Sequence, residues 1–330
     1  MPNGLKADAR EMQLNPAVVD TLDERCRISL SSASPELIES IRRLGVVTPP
    51  LLEKTPAGFR IICGFKRIQA CMQLNINRIP ARVLAHGRVP EIDLLRFAIA
   101  DNALKGGLNL MEEAIATGKI MDLLADEKEL PDAAAAAGLR ITSDLARKYL
   151  RLKSLPKTIQ RMVYHDMISM KAAFELGRFD KPDADTLANL IETLRPTASQ
   201  QLEFLSHLKA LSVLHKAPIS EVLLHLRATP ILEDERLDRK AKIHQLRREI
   251  RNARYPHLTR FETAFRENRE KLGLPQGLSL MPPPGFESPV YTFTLAFESS
   301  RELAQKADYL RVLSNHQALR EILKREIEDT

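Results

Sequence analysis

Lys66 and Arg67 stand in the stretch CGFKRIQACMQL, residues 63–74, directly after Gly64. They open a segment in which Ile68, Cys71, Met72 and Leu74 recur at helical spacing. Two cations in a first helical turn face the positive end of the dipole and unpaired N–H groups, at a cost of about a few tenths of a kcal/mol or more. An anion at that mouth reverses the balance: free amides, dipole and both side chains would attract it, the arrangement that binds phosphate. Gly64 permits a tight turn and lets a ligand approach without meeting a side chain. The bland alternative is that both cations point into water or pair with an acid such as Glu53.

A second stretch with chemical potential is LPDAAAAAGLRITSDLARKYLRLKSLP, residues 130–156. A small-residue helix, a turn at Gly138 and a helix N-capped by Thr142 or Ser143 have the layout of a helix-turn-helix. Leu145, Tyr149 and Leu152 would face the core. Arg140, Thr142, Ser143, Arg147, Lys148 and Arg151 could then face a duplex, the early residues near base edges and the later ones near phosphates. Taken alone, an ordinary helical hairpin with a solvated basic face is the favoured reading, because Ala-rich helix pairs are common. A third candidate is the basic helix read over residues 239–260, in which Arg247, Arg248 and Arg251 lie among eight cations opposed mainly by Glu249. It reads either as a phosphate-contacting surface or as the solvated side of a packed helix. Cys26, Cys63 and Cys71 form no CxxC and lie near no His at metal spacing, so free thiols are expected rather than disulfides or zinc. The histidines are scattered along helical segments and form no catalytic pattern.

Elements that could position these residues follow from the pattern. RCRISL (25–30) reads as a strand. Ser34-Pro35-Glu36 is a good N-terminus for a helix stopped at Gly45. VVTPPLLEKT and GFRIIC read as two strands joined at Pro56-Ala57-Gly58, the helix from 65 follows, and RIPARVLA closes the block. From about 91 the strands give way to helices, with Asn109 and Glu112 spaced as a capping box. The breaker-rich GLPQGLSLMPPPGFESP precedes a last unit with VYTFTLAFE as a strand and one or two helices after it. The expected division is a flexible tail (1–25), an α+β domain (26–90), a helical domain (91–230), a basic helical linker (231–272) and a C-terminal α+β unit (273–330). With 330 residues, 44% hydrophobic and 28% charged, the chain can build real cores. A net charge of +6 tilts it toward polyanionic partners, and the absence of a leader-like apolar region or a long apolar run points to a cytosolic protein.

Residues 37–84, LIESIRRLGVVTPPLLEKTPAGFRIICGFKRIQACMQLNINRIPARVL, resemble the N-terminal domain of ParB partition proteins, which shares its fold with sulfiredoxin. The family's S-I-x-x-x-G helix end, its strand with Pro, its Y-x-I-I-x-G-E-R-R block and its I-P follow in order. Asp101-Asn102-Ala103-Leu104-Lys105 stands where the family has E-N-x-x-R, and LNLMEEA and LRLKSLP match later family segments. The resemblance covers roughly residues 35–180. It implies an α+β ParB/sulfiredoxin-like domain, an all-α helix-turn-helix domain and a small α+β C-terminal unit serving as a dimerisation module, mainly helical in sum. It also implies a CTP site with Mg2+. Gly64, Phe65, Lys66 and Arg67 would form the phosphate turn, with Lys105 a further cation. Asn102, helped by Asp101, would approach the metal, and Thr48 would lie near the base. Phe65 replaces the family's glutamate, and Lys66 and Lys105 replace arginines, so binding is expected to outlast hydrolysis and any CTPase activity to be weak. The implied partners are double-stranded DNA, a second copy of the chain and a ParA-type ATPase, with no membrane and a nucleoid location. The rivals are a ParB-fold transcriptional regulator without a nucleotide switch and a small-molecule kinase or nuclease on the same fold.

Overall fold

The computed structural model describes residues 9–104 and 106–324. It is mainly helical, and it divides into two compact units, Met1–Leu205 and Ser206–Thr330. The first unit is built on a five-stranded mixed sheet of order β1-β5-β3-β4-β2, from β1 (Arg10–Leu14), β2 (Val19–Asp20), β3 (Leu51–Thr55), β4 (Gly58–Cys63) and β5 (Ile79–Leu84). β3 and β4 form the expected hairpin, paired from Thr55↔Gly58. The stretch read as a tail up to residue 25 is instead structured from Arg10 onward: β1 pairs antiparallel with β5, and β2 pairs parallel with β4. Only Leu14 and Val19 of these edge strands are buried, so the apolar signal that marks a strand was too sparse there to read.

Period-two alternation places the two faces of the sheet in different cores. Ile61, Ile79, Ala81 and Val83 pack with Ile41 of helix α1 (Pro35–Leu44) and with Ile68 and Cys71 of α2 (Phe65–Gln73). Ile62, Cys63 and Leu84 pack on the opposite side, against α3 (Glu91–Ala103), α4 (Leu110–Met121), α5 (Leu130–Ala136) and α6 (Ser143–Lys153). That second cluster runs from Cys26 to Ala146, so the boundary expected at 90/91 falls inside a shared core.

RCRISL is not a strand. Cys26 and Ile28 are buried, which explains the alternation, but the segment runs beside the helices without a ladder partner. Pro49 and Pro50 likewise hold the start of β3 back to Leu51, because they lack the donors a ladder needs. The caps behave as expected. The Ser34 hydroxyl accepts from Leu37 N–H at 3.3 Å, and Asn109 and Glu112 form a full capping box at the start of α4.

None of the three cysteines is in a disulfide, and all are buried. Burial pushes the Cys26 thiol up to about 12 from an ordinary value of 9.0. Between those values the unfolded chain sheds a proton that the native state keeps, so stability is expected to fall as pH rises from about 9 to about 12. Urea midpoints measured across that range should show this slope, shallower by about one proton in Cys26→Val.

Helices α7 (Lys157–Tyr164), α8 (Met170–Leu176), α9 (Lys181–Leu194) and α10 (Ala198–His215) continue the chain. The second unit holds α11 (Ile219–His225), α12 (Ala228–Glu233), α13 (Arg239–Arg254) and α14 (Pro256–Lys271). β6 (Leu278–Met281), β7 (Thr292–Leu295), α15 (Ser300–Leu313) and α16 (Gln317–Leu323) complete it. The single basic helix expected at 239–260 is two helices. Pro256 cannot donate and disfavours helical geometry at Tyr255, which adopts φ −130°, ψ 61°. Phe265 of α14 and Leu272, its C-cap, share a core with Leu278, Leu280, Leu313 and Leu319, so the expected linker is part of the C-terminal unit. β6, paired antiparallel with β7, lies inside the stretch read as breaker-rich. No helix among the described residues is long and apolar enough to cross a membrane.

Candidate functional site

The mouth of α2 opens on a cavity of about 360 Å³, within the range of small-molecule sites. Thr48, Gly64, Phe65, Lys66, Arg67, Asp101 and Asn102 all line it. The loop after α1, the β4–α2 turn and the end of α3 therefore bring the phosphate-turn candidates and the metal candidates to one place. Lys105 lies outside the described residues.

Gly64 adopts φ 101°, ψ 26° as the N-cap of α2. A Cβ there would meet Pro50 Cβ at 2.9 Å and the Arg67 guanidinium at 3.1 Å, so no other residue fits without moving the turn. Gly64 also has no side chain with which to cap, leaving the first amides of α2 to a ligand.

Arg67 does not point freely into water. Its Nη1 donates to the carbonyls of Thr48 and Pro49, and Nη2 lies 3.8 Å from Asp101 Oδ2. The guanidinium thus ties the 48–49 loop to the end of α3, with its charge at the cavity wall. Glu53, the acid considered as a neutralising partner, is engaged elsewhere: it is buried and pairs with Arg60. Lys66 has no hydrogen bond or ion pair among the described residues, so the first-turn cation is left for a ligand to neutralise.

On the acidic side, Asn102 Nδ2 donates to Ala98 O at 2.7 Å within its own helix, which leaves its carboxamide oxygen as the acceptor for a cation. Among the described residues there is no group of three or more His, Cys, Asp or Glu that could hold a metal. Asn102 and Asp101 offer oxygen atoms of the kind a hard divalent cation takes.

Four cavity-lining polar residues were not singled out by sequence: Arg27, Ser29, Ser31 and Glu112. The first three lie on the unpaired 25–31 segment, whose alternation buries Cys26 and Ile28 and turns Arg27 toward the cavity. The sequence marks Glu112 only as a capping residue. It caps through Oε2 (3.1 Å from Asn109 N), while Oε1 accepts from the Tyr164 hydroxyl at 3.2 Å.

The helix-turn-helix layout is present. α5 ends before Gly138 (φ 86°), and α6 starts at the Thr142 cap, whose hydroxyl accepts from Leu145 N–H at 3.3 Å. Ala146, Tyr149 and Leu152 are buried; Leu145 is only half-buried. Arg140, Thr142, Ser143, Arg147, Lys148 and Arg151 are exposed together. Two of the cations are already engaged. The Arg151 guanidinium stacks 4.3 Å over the Phe174 ring, and Lys148 pairs with Asp144 at 2.5 Å, holding the Asp144 carboxyl below its ordinary range. If this face contacts phosphates, Arg147→Ala should weaken duplex binding about equally across sequences. It should also lower the salt slope of the affinity by about one, read by fluorescence anisotropy over a salt series.

The basic helix α13 is a weaker interface candidate. Arg251 forms a two-pronged pair with Glu262 of α14 at 2.6 and 2.9 Å, and Arg248 lies 3.3 Å from Glu249. Arg247 is half-buried.

Residues 7–102 match the ParB N-terminal domain family. The chain is 31% identical over 157 residues to the chromosome-partitioning protein ParB of Myxococcus xanthus (strain DK1622), covering 47% of this chain and 51% of that protein. It is 28% identical over 142 residues to a nucleoid occlusion protein of Listeria monocytogenes (43% and 47% covered). It is 29% identical over 140 residues to stage 0 sporulation protein J of Bacillus subtilis (strain 168), with 42% and 46% covered. The chain spans about half the length of the curated relatives it matches. Among solved structures, C-terminally truncated ParB of Caulobacter crescentus complexed with CTP-gamma-S is 19% identical, covering 55% of this chain and 98% of that one, with a TM-score of 0.26. The same protein complexed to the centromeric parS site is 16% identical, covering 58% and 96%, with a TM-score of 0.32.

Proposed function

Starting from a ParB N-terminal domain at residues 7–102, we propose that this chain is a DNA-binding partition protein whose state is set by CTP and Mg2+. The observation that carries this reading is the single cavity that gathers Gly64, Lys66 and Arg67 on one wall and Asp101 and Asn102 on another, at an uncapped helix mouth. The α2 amides, Lys66 and Arg67 would hold the triphosphate by charge and hydrogen bonds, and Asn102 with Asp101 would hold a magnesium ion that supplies charge neutralisation for it. Thr48, on the loop that Arg67 tethers, sits toward the base. CTP supplies the polyanion that neutralises the α2 mouth; the protein supplies its orientation. Phe65 packs against both cores of the first unit and presents no acid or base, so binding without efficient hydrolysis is the expected behaviour.

The α5–α6 pair reads duplex DNA through the exposed Arg140, Thr142, Ser143, Arg147, Lys148 and Arg151 face, and the protein acts at the nucleoid as a homodimer. The C-terminal unit is the dimerisation module of this reading, and a ParA-type ATPase is its expected partner. A ligand shifts the open–closed equilibrium only by its differential affinity for the two forms, so CTP must be held more tightly in the closed clamp. Genome-wide occupancy in the native host tests the proposal: signal spreading over kilobases from a loading site, collapsing in Arg67→Ala, is expected of a clamp. Narrow peaks unaffected by that change would favour the regulator reading.

A further inference from the structure

The cavity wall and the end of the DNA-facing helix α6 are joined through α7, whose last residue is Tyr164. Its hydroxyl lies 2.6 Å from Ser29 Oγ, 2.9 Å from Ser31 Oγ and 3.2 Å from Glu112 Oε1, and all three partners line the cavity. One turn earlier on the same helix, Gln160 is 3% exposed, and its amide nitrogen donates to Lys153 O and Leu155 O, both at 2.7 Å. These carbonyls close the C-terminal end of α6. Residues four apart share a helix face, so α7 carries a cavity contact and a clamp on α6 along one side. The Tyr164 carbonyl is held in turn by Asn109 Nδ2 at 3.4 Å, at the start of α4.

Proton counting allows this cluster more than one state. Tyr164 has one proton and three acceptors in reach, Ser29 Oγ, Ser31 Oγ and Glu112 Oε1. With Tyr164 donating to Glu112, Ser29 can donate to Tyr164, and Ser31 to Ser29, 3.1 Å away. Ser31 ends that relay, so its proton is the one a ligand oxygen in the cavity can take. Once Ser31 turns its proton to the ligand, its oxygen is free to accept from Tyr164, and Glu112 Oε1 would be drawn off the hydroxyl by the charge of a cation accompanying a polyphosphate.

We propose that the Tyr164 hydroxyl is the coupling contact of this protein. Cavity occupancy switches its donor bond from Glu112 to Ser31, and α7 passes that change through Gln160 to the end of α6. The inference rests on the nucleotide reading of the cavity and adds to it the route by which occupancy reaches the DNA-facing helix. Coupling of this kind is a free energy shared between sites, so it is read as a second response that one substitution removes.

The test is hydrogen–deuterium exchange on the full chain with and without CTP and Mg2+, in wild type, Tyr164→Phe and Ser31→Ala. Wild type is expected to gain protection at residues 64–73 and to change exchange at residues 143–164 by about fivefold or more. Tyr164→Phe keeps the ring, and it should retain the first response and lose the second. Ser31→Ala removes both a ligand donor and the switched acceptor, so it should weaken the first response as well as lose the second. If wild type shows protection at 64–73 but none of the variants alters the response at 143–164, or wild type has no such response, the coupling role is overturned while the nucleotide site stands. Absence of protection at 64–73 in wild type removes the nucleotide reading and this inference together.

Discussion

Arg60→Ala is expected to destabilise the first unit by about 3–5 kcal/mol, with a loss in thermal midpoint on the order of 10 °C. Arg60 is 5% exposed and Glu53 2% exposed, and they form a direct ion pair on neighbouring strands. The other side of the guanidinium makes two parallel hydrogen bonds to Glu91, at 2.9 and 2.7 Å. Burial opposes the Arg60 charge, but the bond to Glu91 and the charge of Glu53 outweigh it and hold its pKa above the ordinary arginine value. Removing the guanidinium leaves Glu53 buried without a cation and Glu91 half-buried with only Arg25, 4.0 Å away. Glu53 keeps only the Gly87 N–H at 3.0 Å. Differential scanning calorimetry measures the loss, and adding Glu53→Gln to Arg60→Ala should restore part of it by removing the stranded charge. A midpoint within about 2 °C of wild type would show that water reaches this triad freely. Glu91 begins α3, whose far end carries Asp101 and Asn102, so the triad also sets where the metal candidates stand.

Arg67→Ala is expected to weaken CTP binding by about 10- to 100-fold, the loss of about 1.5–3 kcal/mol for a hydrogen bond to a charged group. Two effects add. The triphosphate loses a cation, and the 48–49 loop loses the guanidinium that holds its two carbonyls. Arg67→Lys should fall between wild type and Arg67→Ala, because an ammonium restores the charge but not the fork that spans Thr48, Pro49 and Asp101. Lys66→Ala should cost about tenfold or less, since Lys66 contributes charge without a positioning bond. Equal affinities for Arg67→Ala and wild type, measured by titration calorimetry, would exclude Arg67 from the site.

The helix Pro35–Leu44, the β3–β4 hairpin, the Asn109 capping box and the Thr142 cap are all readable because their signals are local: a capping hydroxyl, a Gly, a two-residue turn. The mouth of α2 is readable for the same reason, since Gly64, Lys66 and Arg67 are neighbours in sequence. What escaped reading is set by distant partners. β1 exists only because β5 offers it an edge, and residues 25–30 alternate like a strand only because a core lies on one side. Ser29 and Ser31 acquire a role from Tyr164, more than 130 residues away. In the second unit, Pro256 is a local breaker that splits the cationic run into α13 and α14. Only that split brings Arg251 of α13 to Glu262 of α14, a pairing no local signal encodes.

Titration calorimetry of the full chain with CTP and Mg2+, set beside ATP and Mg2+ and beside the Lys66→Ala/Arg67→Ala double variant, tests the nucleotide site most directly. A saturable heat with CTP, weak or absent with ATP and abolished in the double variant, is the predicted result. No heat with CTP at any workable protein concentration, or a heat that the double variant leaves unchanged, would contradict a nucleotide at the mouth of α2.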